Sequence, residues 1–261
     1  MMDYDDAYAN APYIAGAGHY PERWQNQAAT FRDGLHDRAK LALPYGPSER
    51  QKYDLFLPEA TPKGLCIFVH GGYWLKFNRT LWSHLAAGPL ARGWAVAMPS
   101  YDLCPEVSIA TITRQIAQAI ETAATEVAGP LVLAGHSAGG HLVARMCVAG
   151  VLPEHVMARA QHVMPISPVS DLRPLLNLEM NADFRLDMAM AEAESPVLMQ
   201  PLDVKVTVWV GGDERPVFLD QARWLAEAWN AGHVVEEKRH HFDVIEGLQD
   251  AGSEMVERLL G

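Results

Sequence analysis

Residues 131–141 read Leu-Val-Leu-Ala-Gly-His-Ser-Ala-Gly-Gly-His. An apolar run enters a Gly-x-Ser-x-Gly turn and leaves it in a helical pattern. This arrangement predicts a strand that turns sharply into a helix, with one serine hydroxyl lifted above the edge of a parallel sheet. Gly135 and Gly139 are needed where the two backbones meet too closely for a Cβ. Ser137 is therefore the candidate nucleophile. A tight turn holding an incidental serine is the alternative, and the strand–turn–helix context argues against it.

The rest of the chain repeats the same rhythm. Residues 52–57 alternate as a strand ended by Pro58. The continuous apolar runs at 65–69 and 94–98 suit strands buried on both faces. Further strands are expected at 131–134, 162–166, 204–210 and 234–238. Residues 109–127 place Ile109, Ile112, Ile116, Ile120 and Ala123 on one helical face. Helices are also expected at 138–149, from Pro216 to Trp229, and over most of 242–260. Strands alternating with helices predict an α/β fold: a mainly parallel central sheet with helices on both faces.

No linker or repeat interrupts the 261 residues, so one domain over 1–261 is expected. Residues 1–40 form an N-terminal extension, partly helical at 21–33. Residues 171–200 break the rhythm and carry Met180, Met188, Met190, Met199 and Phe184. They read as a small helical excursion, either packed on the core or serving as a lid or cap.

The formal net charge of −11 and the absence of a Lys/Arg cluster exclude a nucleic-acid-binding surface. No apolar stretch approaches the 18 or more residues of a membrane span, and the acidic start has no signal-peptide character. Cys66, Cys104 and Cys147 are widely spaced among apolar neighbours and form no C-x-x-C pair. They read as reduced thiols, hence a cytoplasmic chain. The sequence is silent on oligomeric state.

A serine hydroxyl needs a base, a carboxylate to orient that base, and donors for the oxyanion. In this architecture the order is serine, acid, histidine. The run 206–210 is followed by Gly211-Gly212-Asp213-Glu214. Asp213 comes first after the turn and has the shorter reach, so it is the expected acid, with Glu214 its rival. Capping of the following helix is the other use for Asp213. His240 and His241 follow the last strand, and spacing alone does not choose between them. The pair lacks a third ligand at metal spacing, so no metal is expected. His70-Gly71-Gly72-Tyr73-Trp74 follows the strand at 65–69. Its backbone amides at Gly72 and Tyr73, with that of Ala138, are the candidate oxyanion hole, and His70 is expected to fix the loop.

These motifs resemble the α/β-hydrolase superfamily, and within it the arylformamidases (serine-dependent kynurenine formamidases) and their bacterial esterase relatives. The resemblance is carried by His70-Gly71-Gly72-Tyr73-Trp74, Tyr101-Asp102-Leu103-Cys104-Pro105, Gly135-His136-Ser137-Ala138-Gly139-Gly140, Gly212-Asp213-Glu214 and His241-Phe242. It implies an α/β-hydrolase fold, no cofactor, and a small-molecule ester or aryl formamide as substrate. The family's catalytic histidine precedes a phenylalanine, which implies His241, alongside Ser137 and Asp213. Tyr73 stands where many esterases of the superfamily have a third glycine. Tyr73 and Trp74 are the candidate substrate-binding side chains, with Trp82 and Phe184 as further candidates. A general carboxylesterase or thioesterase with the same machinery is the alternative.

Overall fold

The computed structural model describes residues 3–261. Eight strands form one sheet: β1 (Ala39–Pro44), β2 (Lys52–Phe56), β3 (Leu65–Val69), β4 (Ala95–Pro99), β5 (Leu131–His136), β6 (Ala160–Ile166), β7 (Lys205–Gly211) and β8 (Gly232–Glu236). Their spatial order is β1-β2-β4-β3-β5-β6-β7-β8. The β1–β2 and β2–β4 pairs are antiparallel and all others are parallel. β3, β4 and β5 are buried along their whole length, as their unbroken apolar sequences require.

β1 has no counterpart among the strands expected from the sequence. It is an edge strand that is mostly exposed, so it carries no inward-facing apolar alternation. Its pairing with β2 is also irregular between Lys40 and Leu43, where Ala42 has a positive φ of 56°.

Two helices on one face illustrate how the apolar patterns are used. Ile109–Glu126 starts at Ser108, whose side chain accepts from the Thr111 amide, and buries Ile109, Ile112, Ile116 and Ile120. Pro216–Trp229 opens with proline in its first turn and buries Phe218, Ala222, Leu225 and Ala226. On the other face, Tyr20–Leu35 buries Trp24, Ala28 and Leu35 beside Trp82 and Phe56. Fully burying such side chains contributes roughly 1.5–3 kcal/mol each, which makes these stripes the main source of cohesion.

The expected excursion at 171–200 is a set of short helices, including Asn181–Phe184 and Met188–Glu194. Much of it is packed down. Glu194 pairs with Arg145 at 3.1 Å and accepts from Thr113 Oγ1 at 2.8 Å, while Trp229 Nε1 donates to the Met199 carbonyl.

The chain leaves β3 towards β4 and leaves β5 towards β6, in opposite directions across the sheet. Loops at the carboxyl ends of adjacent β3 and β5 therefore diverge and open a crevice, the usual place for a ligand in such sheets.

Candidate active site

Every chemically interesting group stands just beyond the carboxyl end of a parallel strand. The His70–Phe77 loop follows β3, Ser137 follows β5, Ser167 follows β6, Glu214 follows β7 and His241 follows β8. The turn at Ser137 is as sharp as its sequence demands. Ser137 has φ 57° and ψ −117°, a conformation costly for a residue with a side chain. The surrounding backbones hold it there. A Cβ on Gly135 would lie 2.2 Å from the Gly139 carbonyl oxygen, and one on Gly139 would lie 2.0 Å from the Val69 oxygen. Helix Ala138–Met146 begins immediately after the serine, with its axis aimed at the turn.

His241 Nδ1 lies 2.6 Å from Glu214 Oε2. An ionised carboxylate only accepts, so Nδ1 carries the proton and Nε2 keeps a free lone pair. The imidazole plane is flanked by the rings of Phe218, 4.4 Å away, and His136, 4.6 Å away. The other carboxylate oxygen of Glu214 accepts from the Gly211 amide at 2.9 Å and from the Ser167 hydroxyl. Three donors thus satisfy a buried carboxylate that would otherwise be costly to remove from water.

This corrects the expectation for Asp213, which is exposed. The Gly212 and Asp213 amides donate to the Glu236 and Arg239 carbonyls at 2.7 and 2.9 Å. The turn therefore runs flat against the segment after β8 and is not complete until Glu214, the first residue to face inward. Order after the strand end was the wrong criterion, because the turn consumes Asp213. His240 is likewise directed elsewhere, with Nε2 3.1 Å from the Tyr20 hydroxyl.

Ser137, His241, Gly72 and Tyr73 line one cavity of about 380 Å³. No hydrogen bond joins Ser137 to His241 among the described residues, a common condition of such sites without substrate. The loop after β3 turns through three consecutive positive φ values, at Gly72 (112°), Tyr73 (51°) and Trp74 (54°). Among the described hydrogen bonds, the Gly72 and Tyr73 amides donate to nothing. The Ala138 amide, in the first turn of its helix, has no intrahelical acceptor either. His70 supports the loop: its ring stacks on Tyr101 at 4.4 Å, and Tyr101 donates to the His70 carbonyl at 2.9 Å. Burial pushes its pKa down to about 4, so the ring is neutral at physiological pH.

The two candidate substrate-binding side chains part company. Tyr73 lines the cavity, and its hydroxyl donates to the Tyr8 carbonyl at 2.8 Å. Burial holds that hydroxyl far above its ordinary pKa, so it stays a neutral donor. Trp74 is fully buried against His141 and Phe184 and does not reach the cavity, which corrects its expected role. Its positive φ turns the side chain away from Ser137 and into the core. Phe184 is likewise buried in the core, packed edge-on against Trp74, whereas Trp82 does line the cavity.

Two walls complete the cavity, and of their residues only Trp82 is among the sequence candidates. One is aromatic: Trp24, Phe77, Trp82 and Phe242, with Trp24 at ring-centroid distances of 4.7–6.2 Å from the other three. Its members come from three separate segments, so no local spacing betrays them. The other wall is the segment Tyr8–Pro12. Of the 171–200 excursion, only Glu179 and Met180 reach the cavity.

Residues 66–242 match the alpha/beta hydrolase fold family. The chain belongs to that family. It is also a distant homologue of kynurenine formamidases. It is 32% identical to the kynurenine formamidase of Drosophila melanogaster over 78% of this chain and 75% of that one. A structure from Silicibacter sp. tm1040, described only as a candidate thioesterase, is 61% identical and superposes with a TM-score of 0.99 over all of both chains. Esterase B from Lactobacillus rhamnosis shares the fold at 16% identity, with a TM-score of 0.67 over 99% of this chain and 93% of that one. No helix among the described residues is long and apolar enough to cross a membrane.

Proposed function

We propose that this hydrolase cleaves small-acyl esters or aryl formamides through a Ser137–His241–Glu214 triad. The observation that carries the reading is the 2.6 Å contact between Glu214 and His241 beside a serine held at φ 57° in the same cavity. Ser137 Oγ attacks the acyl carbon while His241 Nε2 takes its proton. The carbonyl oxygen, now an oxyanion, accepts from the free amides of Gly72, Tyr73 and Ala138. His241 returns the proton to the departing amine or alcohol. Water, activated by the same imidazole, then hydrolyses the acyl-enzyme, releasing the acid and restoring Ser137.

An aryl leaving group is supported by the wall of Trp24, Phe77, Trp82 and Phe242, which offers edge and face contacts to a planar ring. The kinship with kynurenine formamidases points the same way. A thioester substrate is the second reading, favoured by the description of the 61% identical structure. The three cysteines are all free and buried, which supports a reducing, cytoplasmic setting.

The deciding experiment compares N-formylkynurenine, p-nitrophenyl acetate and an acetyl thioester under steady-state conditions, with Ser137→Ala as control. Ser137→Ala is expected to lower kcat by roughly four to six orders of magnitude on every substrate cleaved. A fluorophosphonate is expected to label Ser137 in the wild type alone. Activity that survives Ser137→Ala would overturn the triad, and a preference for the thioester over both other substrates would favour the second reading.

A further inference from the structure

We propose that Asn10 is a specificity-determining residue, a partition that sets how long an acyl group the site accepts. The proposal rests on the reading of Ser137 as the nucleophile. Segment 4–13 begins with helix Tyr4–Tyr8, continues through Ala11–Tyr13, and forms a strap along the cavity wall through Asp5 and residues 8–12. On one side of the strap is the cavity that holds Ser137. On the other is a second cavity of about 270 Å³, lined by Tyr13, Ile14, Asp213, Arg215 and His240. Asn10 and His241 line both. His241 is fixed by Glu214 and flanked by two rings, so Asn10 is the member of the boundary whose side chain is free to differ without disturbing the triad.

Asn10 is buried, and its side chain makes no hydrogen bond among the described residues. Its amide is not among the unpartnered polar atoms sealed from solvent, so it faces the cavities that it lines, and truncating it leaves no protein group unpaired. The strap that carries it is pinned from both catalytic loops. Tyr73, in the loop after β3, donates to the Tyr8 carbonyl at 2.8 Å. Arg215, next to Glu214, pairs with Asp6 at 2.8 Å and stacks over the Tyr13 ring at 3.6 Å. Tyr8 is 1% exposed, and its hydroxyl accepts from Gln221 Nε2 at 2.9 Å. The position of Asn10 is therefore set by several independent contacts, as a selective wall requires.

Truncating the Asn10 side chain joins the two cavities and gives a longer chain a path past His241. The test measures kcat/KM for p-nitrophenyl acetate, butyrate and octanoate in the wild type, Asn10→Ala, Asn10→Phe and Arg215→Ala. The octanoate-to-acetate ratio is expected to rise at least fivefold in Asn10→Ala, to rise in Arg215→Ala as the strap loosens, and not to rise in Asn10→Phe. The rates of Ser137 labelling by ethyl and decyl fluorophosphonates give the same ratio without turnover. An unchanged ratio in Asn10→Ala and Arg215→Ala overturns the partition. So does a loss that is equal for all three esters, since a merely structural residue would act that way. If hydrolysis survives Ser137→Ala, the triad itself fails; a flat chain-length profile in a Ser137-dependent enzyme overturns only the role of Asn10.

Discussion

Glu214 Oε2 and His241 Nδ1 are 2.6 Å apart, at the ends of two adjacent parallel strands. The carboxylate reaches the imidazole from β7 across the turn at Gly211–Asp213, and the glutamate side chain supplies the length that this span needs. Exchange of the two acidic neighbours therefore has opposite consequences. Glu214→Gln leaves an amide that favours the wrong imidazole tautomer and is expected to lower kcat by about 10⁴-fold. Asp213→Asn alters an exposed side chain and is expected to change kcat by about twofold or less. Steady-state kinetics on both variants, with circular dichroism to establish folding, check the assignment. A larger loss in Asp213→Asn would reverse it.

The glycine at 139 has no room to spare. Its absent Cβ would sit 2.0 Å from the Val69 carbonyl oxygen and 2.7 Å from that of His70, both on backbone that cannot move without distorting β3 and the loop that follows it. Gly139→Ala is expected to destabilise the fold by about 3 kcal/mol or more, at the upper end of overpacking effects. Gly150→Ala is the contrast, since nothing lies within 4 Å of its added carbon, although φ 81° adds backbone strain. Thermal unfolding of the two variants measures the difference, and equal losses would show that close approach at the elbow is not the dominant constraint.

The sequence made the sheet legible where burial is uniform. Runs such as Leu65–Val69 and Leu131–Ala134 have only one plausible fate, and the glycines around Ser137 encode a contact that no other residue permits. Ser137 is legible as a candidate because it directly follows β5, whereas His241 lies five residues beyond β8 and is separated from His240 only by the family resemblance. The acid is not legible, because the difference between Asp213 and Glu214 is which way a turn faces, and that depends on hydrogen bonds to Glu236 and Arg239 in another strand's loop. Tyr8, Asn10 and Trp24 escaped notice for a related reason. They are brought to the cavity by tertiary packing of residues 3–35, and nothing in their local pattern records that destination.

Buried histidines make stability depend on pH in a defined direction. Burial pushes His70 and His141 down to about 4 from the ordinary 6.5. Between those values the unfolded chain binds protons that the folded one does not. Stability is therefore full above about pH 6.5 and falls as pH drops towards 4, at up to about 1.4 kcal/mol per pH unit for each residue. His141 Nε2 is 2.8 Å from the Glu194 carbonyl, a contact an amide can replace. Urea unfolding at pH 7 and pH 5 is expected to show this loss, and His141→Gln is expected to reduce the slope by about one proton's worth. A slope identical in wild type and variant would mean that His141 is not among the groups that titrate.

Ser167 has φ 47°, is fully buried, and donates through its hydroxyl to the oxygen of Glu214 that His241 does not use. Its own amide donates to the Trp209 carbonyl at 2.7 Å, so the backbone holds its strained shape independently of the side chain. Ser167→Ala removes the hydroxyl and little else, leaving the Gly211 amide as the remaining donor to that oxygen. A hydrogen bond to a charged group contributes about 1.5–3 kcal/mol, so a carboxylate left with one anchor fewer is expected to lower kcat by roughly 10- to 100-fold. The comparison that separates positioning from folding is kcat against melting temperature. A large drop in kcat with a melting temperature shifted by only a few degrees is the expected result. An unchanged kcat would mean that the Gly211 amide alone is enough to hold Glu214 against His241.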